Sequence, residues 1–192
     1  MSGMDVHTFV ADKLNISRKL AKGVNFGLVF GCGPAKLGVI LGVPEEEARG
    51  IRQRYFEELP KIKIFLKRVV EVAEQRGYIV NPFGRRATFR KYIDPITGKL
   101  QSFAYAAPNT LIQGGMGDVM KFAMVRINKL LKGMKSKVIA SIHDELILDV
   151  HQDEEHIVSN VKNIMETTFK SDLLVLEVSI EKGINLYDLA KC

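Results

Sequence analysis

The sequence predicts an α+β protein, in which a mostly helical first half precedes a smaller half with an antiparallel sheet. The first observation is a series of segments with apolar residues at helical spacing, separated by Gly-Pro or single proline signals, along the first half. The second is the stretch "SKVIASIHDELILDV", in which apolar residues surround a polar "HDE". That pattern predicts a β-hairpin with His143, Asp144 and Glu145 at its turn.

The helices of the first half are predicted from their start and stop signals. The stretch "SRKLAKGVNFGLVFG" predicts a helix that is capped by Ser17 or Asn15. A short helix is expected within "GPAKLGVILGV", and three glutamates mark the first turn of another in "PEEEARGIRQRYFEEL". Pro60 then begins a helix in "KIKIFLKRVVEVAEQRG", which Gly77 ends.

Extended segments and two more helices complete the expected elements. "YIV" and "FGRRATFRKY" are typical of strands, and "DPITGK" is typical of a turn. We expect a long helix from Gln101 to Leu131 with a kink at Pro108. An amphipathic helix is expected from Asp153 to Phe169, and "LLVLEVSIEKG" predicts a last strand.

The composition favours an anionic partner and excludes several classes of protein. The chain has 192 residues and a formal net charge of +6, which suits nucleic acid or an acidic surface. Two cysteines, Cys32 and Cys192, are too few for a disulfide framework or a zinc knuckle. No apolar run reaches the length of a membrane span, and the N-terminal "MSGMDVH" lacks a signal-peptide pattern. We therefore expect a cytoplasmic protein with no membrane partner.

Cations and aromatic rings share one face of the first long helix. Arg18, Lys22, Phe26 and Phe30 lie four residues apart, so they stack on one side of an α-helix. Arginine and lysine bind phosphate as a fork and as a point charge, and a phenyl ring provides a stacking surface for a base. This face therefore suits a nucleotide triphosphate.

Glycines form a second row on the same stretch, at Gly23, Gly27 and Gly31. Each glycine inside a helix costs about 0.5–1 kcal/mol relative to alanine, so a row of them needs a reason. One reason is close packing against another helix. The other is close approach of a ligand to the backbone, and the sequence leaves both open.

The predicted hairpin tip carries adjacent carboxylates at Asp144 and Glu145. Like charges placed side by side raise each other's pKa, and a divalent cation relieves this repulsion. Mg²⁺ prefers such oxygen ligands and commonly retains water and substrate phosphates. The tip is therefore a candidate metal site, and a solvated acidic turn without a ligand is the alternative.

Two further stretches suit contact with nucleic acid. "FGRRATFRK" places four cations close together, between aromatic residues, as a phosphate-contacting strip requires. In "PNTLIQGGMGD", Asn109 and Gln113 share a helical face, and their carboxamides suit the acceptors of the DNA minor groove. A solvated basic loop and ordinary helix-surface polarity are the alternatives. No Walker lysine and no G-x-S-x-G sequence supports other chemistries.

In this order, the motifs resemble the C-terminal part of the family-A DNA polymerases, the bacterial polymerase I type. "RKLAKGVNFGLVFG" is similar to the fingers helix known as motif B, and "SIHDELIL" is similar to motif C of the palm. Further counterparts are "DVHT", "YFEELPKIKIFL", "GYIVNPFGRR", "NTLIQGGMGDVMK" and "EKGINL". The resemblance runs from Asp5 to Tyr187. It implies a fingers-like subdomain over residues 5–105 and a partial palm over residues 106–192.

The resemblance also implies roles for individual residues. Arg18, Lys22 and His7 would hold the triphosphate of a dNTP, and Phe26 would pack against its sugar and base. Phe30 stands where the family usually has tyrosine, near the template base. The residues expected to contact primer–template DNA are Arg85, Arg86, Asn109, Gln113 and His143. Asp144 would be a metal ligand, Glu145 a neighbouring catalytic carboxylate, and Lys22 a possible acid for the leaving pyrophosphate.

The implied reaction is attack of a primer 3′-hydroxyl on the nucleotide α-phosphate with two Mg²⁺ ions, in DNA replication or repair. The family has a further metal-binding aspartate on a palm strand, motif A, before the segment that "DVHT" resembles. We see no such strand in this sequence. We therefore expect a C-terminal fragment that needs an N-terminal polymerase piece for activity. A non-catalytic DNA-binding relic of a family-A polymerase is the alternative.

Overall fold

The computed structural model describes residues 5–172 and 175–191, which form helices and small antiparallel sheets. The predicted α+β class is confirmed. The chain divides into two compact units, one ending at Gly114 and the other beginning at Gly115. The boundary between a fingers-like and a palm-like subdomain at residues 105 and 106 stays a prediction. The boundary between the two compact units lies elsewhere, between Gly114 and Gly115. No helix of the described residues has the length and apolarity needed to cross a membrane.

Five helices begin the first unit, at positions close to those expected from the sequence. They are α1 (Val6–Leu14), α2 (Arg18–Val29), α3 (Pro34–Leu41), α4 (Glu45–Glu58) and α5 (Pro60–Arg76). Ser17 caps α2, its hydroxyl accepting a hydrogen bond from Leu20 N at 3.3 Å. Asn15 instead ends α1 in the left-handed conformation, with a φ of 54°. Gly77 ends α5 as predicted, with a φ of 74°.

The core of these helices is built from small and branched apolar residues. Its buried members on α1 and α2 are Val10, Ala11, Leu14, Ala21, Val24 and Leu28. Leu37 of α3 and Ala48, Ile51, Tyr55 and Phe56 of α4 complete it. Burial of this cluster fixes the face of α2 that points inward. Arg18, Lys22 and Phe26 therefore remain exposed on the other side.

Two short antiparallel sheets follow α5. β1 (Tyr78–Val80) pairs with β2 (Arg86–Thr88), and β3 (Lys91–Ile93) pairs with β4 (Leu100–Ser102). The long helix expected from Gln101 begins later, because Gln101 lies in β4. A 3-10 turn over Phe103–Ala106 leads into α6 (Ala107–Leu130). Pro108 lies in the first turn of α6, where its missing N–H has no helical partner, so the predicted kink at Pro108 is wrong.

The second unit contains the predicted hairpin, β5 (Lys137–Ile142) and β6 (Glu145–Asp149). It packs with the end of α6 and with α7 (Ile157–Thr167) around a small core. The buried members of this core are Ala123, Ile127, Leu131, Ile157 and Val161. The helix expected from Asp153 to Phe169 is shorter than predicted. Gln152–Glu154 form a 3-10 turn before α7, and the carboxylate of Glu154 in this turn accepts a hydrogen bond from Ser136 N at 2.8 Å.

Within residues 175–183, most of the predicted last strand is not formed. Leu173 and Leu174 lie outside the described residues. Residues 175–180 alternate between exposed and half-buried positions but have no strand assignment. Within residues 175–191, the ladder that the structure describes pairs β7 (Glu181–Lys182) with β8 (Ala190–Lys191). The alternating sequence identified an extended segment correctly, but a strand also needs a neighbouring strand to pair with.

The carboxylate of Glu154 accepts three hydrogen bonds from the segment that precedes β5. It accepts from Ser136 Oγ at 2.6 Å, from Lys135 N at 3.0 Å and from Ser136 N at 2.8 Å. Ser136 Oγ in turn accepts from His151 N at 2.9 Å. The hydrogen bond from the Ser136 hydroxyl, followed by those from the two backbone amides, lowers the pKa of Glu154 to about 2. The bonds therefore favour the ionised carboxylate.

This arrangement predicts a loss of stability in acid that depends on Glu154. The pKa of Glu154 is 4.5 in the absence of these bonds and about 2 in the fold. The contribution of Glu154 to the free energy of unfolding is therefore full above pH 4.5 and is lost as the pH falls toward 2. Glu154→Gln should reduce the change in the free energy of unfolding between these pH values, measured by urea denaturation. Glu47→Gln, at an exposed glutamate of α4, is the control. Equal pH dependence in all three proteins would contradict the prediction.

Candidate nucleotide and DNA site

The cationic end of α2 is joined to α1 through Asp5. Arg18 Nε donates to Asp5 Oδ2 at 2.5 Å, while Asp5 also accepts from His7 N at 3.0 Å as the N-cap of α1. The hydrogen bond from Arg18, followed by those from His7 N and the Thr8 hydroxyl, lowers the pKa of Asp5 to about 2. Asp5 is therefore ionised at neutral pH and holds the guanidinium beside the start of α1. Lys22 is exposed one turn further along α2.

His7, Asn25 and the two phenyl rings continue this surface. Asn25 is buried, and its Nδ2 lies 3.0 Å from His7 Nδ1. Because an amide nitrogen only donates, Nδ1 of His7 accepts, and the proton of the neutral ring lies on Nε2. The His7 and Phe26 ring centroids are 5.8 Å apart, as are those of Phe26 and Phe30. The structure thus brings His7, Arg18, Phe26 and Phe30 into one chain of contacts, with 47% of Phe26 exposed.

The glycine row serves helix packing. A Cβ on Gly23 would lie 2.9 Å from Ile40 Cγ2, and one on Gly27 would lie 3.2 Å from Cys32 Sγ. Gly31 lies beyond α2 with a φ of 83°, which favours glycine. The first alternative, close packing against another helix, therefore accounts for Gly23 and Gly27, and the hypothesis of a ligand at the backbone is wrong for them.

The basic strip lies around the turn between β1 and β2, which Asn81 organises. Asn81 is buried, and its Oδ1 accepts from Phe83 N at 3.0 Å and from Arg85 N at 2.9 Å. The guanidinium of Arg86 lies 3.8 Å from the centroid of the Tyr78 ring. Both arginine side chains are exposed, so the turn presents them on a fixed backbone.

Asn109 and Gln113 lie one turn apart on α6, in the first unit. Asn109 is half-buried and Gln113 is exposed. Their spacing places both carboxamides on one face of the helix, as the sequence predicts. Their roles toward DNA stay predictions.

The acidic hairpin tip lies in the second unit, where Ile142 pairs with Glu145 across a two-residue turn. His143 has a φ of 54°, in the left-handed region that non-glycine residues rarely adopt. His143, Asp144 and Glu145 are all exposed. The predicted place at the turn is confirmed for His143 and Asp144. It is wrong for Glu145, which is the first residue of β6 because it pairs with Ile142.

The chemistry of the tip suits Mg²⁺ in part. Two adjacent carboxylates are hard oxygen donors of the kind this ion prefers. Among residues 5–172 and 175–191, no three His, Cys, Asp or Glu side chains come together as a metal-binding group. Asp144 and Glu145 therefore fit as ligands, but the described chain supplies only a portion of a coordination shell.

Three of the residues that build these sites are not among the predicted site residues. Asp5, Asn25 and Asn81 each bond to a predicted site residue or to its backbone. Asn81 stands in an Asn-Pro turn signal, which identifies a turn but not its role. The Asp5 and Asn25 contacts span 13 and 18 residues, so no local pattern indicates them.

Comparison with known proteins places this geometry in a family. A family model described as DNA polymerase family A matches residues 1–188. The chain is 33% identical over 195 residues to a thermostable DNA polymerase I of Thermus filiformis, with 94% of this chain and 23% of that protein covered. It is 34% identical over 183 residues to the DNA polymerase I of Caldicellulosiruptor bescii, with 93% and 21% covered.

A solved structure agrees with these matches. The POL domain of Pol1 from M. smegmatis, in complex with DNA primer-template and dNTP, superposes with a TM-score of 0.78 and 27% identity. The match covers 92% of this chain and 33% of that chain. The fold of this chain therefore matches a part of a DNA polymerase domain.

The chain belongs to the family A DNA polymerases, which confirms the resemblance seen in the sequence. It spans less than a quarter of the length of the curated relatives described above, 23% and 21%.

Proposed function

We propose that this chain is the C-terminal piece of a template-directed DNA polymerase, which transfers a nucleotidyl group from a dNTP to a primer 3′-hydroxyl. The observation that supports this proposal best is the surface formed by Arg18, His7 and Phe26 in a chain of this family. Cations for a triphosphate and a ring for a sugar and base occur there together. The M. smegmatis structure holds primer-template and dNTP, and we propose the same ligands for this chain.

The cations of α2 bind the triphosphate in this proposal. Arg18 takes two phosphate oxygens as a fork, and Lys22 binds as a point charge. His7 donates from Nε2, because Asn25 occupies Nδ1. Phe26 packs on the sugar and base. When the bond between the α-phosphorus and the bridging oxygen breaks, Lys22 Nζ stabilises or protonates the leaving pyrophosphate.

Polar and aromatic side chains bind primer–template DNA in this proposal. Arg85 and Arg86 contact phosphates, which makes binding dependent on salt. Asn109 and Gln113 contact the minor groove without strong sequence preference. Phe30 lies near the template base, and His143 near the primer end.

Asp144, with Glu145 beside it, would hold Mg²⁺ in the proposed site. When bound, Mg²⁺ favours ionisation of the attacking 3′-hydroxyl and neutralises charge on the phosphates. The two carboxylates hold this charge at the tip of a hairpin whose backbone is fixed by the Ile142–Glu145 pair.

We propose that a further polypeptide segment completes the second unit. Among the described residues, the hairpin of β5 and β6 is a sheet of two strands, with Ile139 on β5 62% exposed. A strand added at an open edge would pair its backbone groups and cover apolar surface. The same segment would bring the carboxylate that Asp144 and Glu145 lack. An N-terminal polymerase piece, on the same chain or a separate one, fits this requirement.

Primer extension tests the proposed function. The purified chain is mixed with a labelled primer–template, dNTPs and Mg²⁺, with and without a polypeptide that carries the homologous palm strand of a relative. Extension only in the mixture is the expected result. Full activity of the chain alone would overturn the need for a partner. DNA binding without extension in either case would favour the non-catalytic relic, which the incomplete carboxylate set also suits.

Phe26→Tyr should relax discrimination against chain-terminating nucleotides. With residue 26 at the sugar, the hydroxyl of the tyrosine in the variant would donate a hydrogen bond in place of the 3′-hydroxyl that the terminator lacks. A hydrogen bond to a charged group contributes about 1.5–3 kcal/mol, so incorporation of terminators should rise at least about tenfold. The measurement is competition between ddNTP and dNTP in the complemented extension assay. Phe30→Tyr, on the neighbouring ring, is the matched control, and equal selectivity of both variants would place Phe26 away from the sugar.

A further inference from the structure

The hairpin of β3 and β4 exposes both of its faces. Tyr92 pairs with Gln101, and Ile93 pairs with Leu100, so each pair shares a face. On the second face Ile93 is 69% and Leu100 is 67% exposed. A two-stranded hairpin is only marginally stable in water without further packing. A surface of this kind is therefore expected to have a binding partner.

The first face continues into a row of three aromatic rings, Tyr92, Phe103 and Tyr105, here called the aromatic row. The centroids of Tyr92 and Phe103 are 4.6 Å apart with an angle of 26° between the rings. Those of Phe103 and Tyr105 are 6.3 Å apart at 48°. Phe103 is 44% and Tyr105 is 62% exposed. The rings thus leave a large share of their surface open.

The start of the aromatic row is fixed by side-chain hydrogen bonds. The Tyr92 hydroxyl donates to Gln101 Oε1 at 3.0 Å, and Gln101 Nε2 donates to Asp94 Oδ2 at 2.7 Å. Asp94 Oδ1 accepts from Ile96 N at 2.8 Å and from Thr97 N at 2.9 Å, which ties it to the turn. A ring held in this way loses little further freedom on binding, which favours affinity.

The charge around the aromatic row favours an anionic partner. Residues 83–102 contain five lysines and arginines and one aspartate, a net charge of +4. Phe103 N donates to Arg90 O at 3.2 Å, so Arg90 lies opposite Phe103 and on the side of the aromatic row. Asp94, the single acid of this stretch, is engaged in the turn. Glu74 of α5 lies near Lys91 and Gln101, so the charge nearby stays positive with this acid included. Cations beside exposed rings form the combination that binds phosphates and bases together.

The aromatic row ends beside α2. A Cβ built on Gly31 would lie 3.7 Å from the backbone oxygen of Tyr105. Gly31 follows Phe30, the residue that we place at the template base. The backbone of Tyr105, the last residue of the aromatic row, therefore lies next to the end of α2.

We propose that the aromatic row is a stacking surface for an unpaired DNA strand. Bases in a duplex cover one another's faces and offer only their edges in the grooves, whereas an unpaired strand has free faces for Tyr105 and Phe103. Binding of an unpaired strand does not depend on catalysis. Its identity as the unpaired template beyond Phe30 rests on the proposed function.

Fluorescence anisotropy tests this proposal with the complete chain. The probe is a fluorescein-labelled oligothymidylate of about 20 nucleotides, in EDTA and without dNTP. The double substitution Phe103→Ala with Tyr105→Ala should weaken binding at least about fivefold for each stacked base lost. The matched control is Ile93→Ala with Leu100→Ala, on the opposite face of the same hairpin, which should bind as the parent does. Circular dichroism checks the fold of each variant.

A second pair of substitutions separates stacking from simple apolar contact. Phe103→Tyr keeps an aromatic face and should retain affinity, whereas Phe103→Leu keeps apolar volume and should lose it. Equal binding by the leucine variant, or equal competition by a duplex of the same length, would overturn the proposal. If oligothymidylate binding is unaffected by either pair while complemented primer extension proceeds, the stacking surface is refuted and the proposed function stands.

Discussion

Replacement of Asp144 by alanine should lower nucleotide incorporation at least about a thousandfold, because the proposed site loses its principal carboxylate. Asp144 is exposed at the hairpin tip, so alanine removes no buried contact. The fold and the affinity for primer–template should therefore be unchanged. The measurement is single-turnover incorporation in the complemented assay, together with DNA binding by anisotropy.

The same hairpin offers a matched control in Asp149. This aspartate is also exposed and lies at the far end of β6, paired with Lys137. Asp149→Ala should retain incorporation close to that of the parent. Comparable losses of incorporation in both variants would show that incorporation depends on the total acidic charge of the hairpin. Such a result would contradict the proposed role of Asp144 as a metal ligand. Loss of DNA binding in Asp144→Ala would indicate misfolding of the tip.

Gly38→Ala should lower the free energy of unfolding of the first unit by about 2–3 kcal/mol. Gly38 is buried in α3, and a Cβ there would lie 2.7 Å from the backbone oxygen of Val43. The chain reverses direction at this point, since Val43 N donates to Gly38 O at 3.0 Å. A neighbouring backbone cannot rotate away as a side chain can. Urea denaturation followed by circular dichroism measures the loss.

Gly50→Ala is the control for the intrinsic effect of replacing a helical glycine. Gly50 is exposed in the middle of α4, and a Cβ there would meet no atom within 4 Å. Alanine should stabilise this helix by about 0.5–1 kcal/mol, because glycine is the poorer helix former. The two substitutions should therefore act in opposite directions. A stabilised Gly38→Ala variant would mean that α3 can move away from Val43 without cost.

The helices were predictable where their ends depend on local chemistry. Ser17 caps α2 and Gly77 ends α5 through bonds within a few residues, and such signals are present in the sequence itself. The hairpin around Asp144 was predictable for the same reason. The start of α6 was not, because Gln101 is drawn into β4 by pairing with Tyr92, nine residues earlier.

Residues of the candidate site divide in the same way. Arg18, Lys22 and Phe26 repeat along one helix, so their common face follows from helical geometry. Asn25 lies on the buried face of the same helix. Its contact with His7 on α1 depends on how the two helices pack, which helical spacing does not predict. The strand expected in residues 175–180 needed a pairing partner, which no pattern within those residues could reveal.

In the proposed function, the ion pair between Arg18 and Asp5 has a consequence for the free energy of nucleotide binding. In the proposed function, a triphosphate reaches a guanidinium that already has a carboxylate partner. Association is then an exchange of one anion for another, and its free energy includes the loss of the ion pair between Arg18 and Asp5. After the exchange, the carboxylate of Asp5 still accepts hydrogen bonds from His7 N and from the Thr8 hydroxyl, and these donors stabilise its charge. In the proposed function, Asp5 would thereby hold the guanidinium in one orientation between successive substrates.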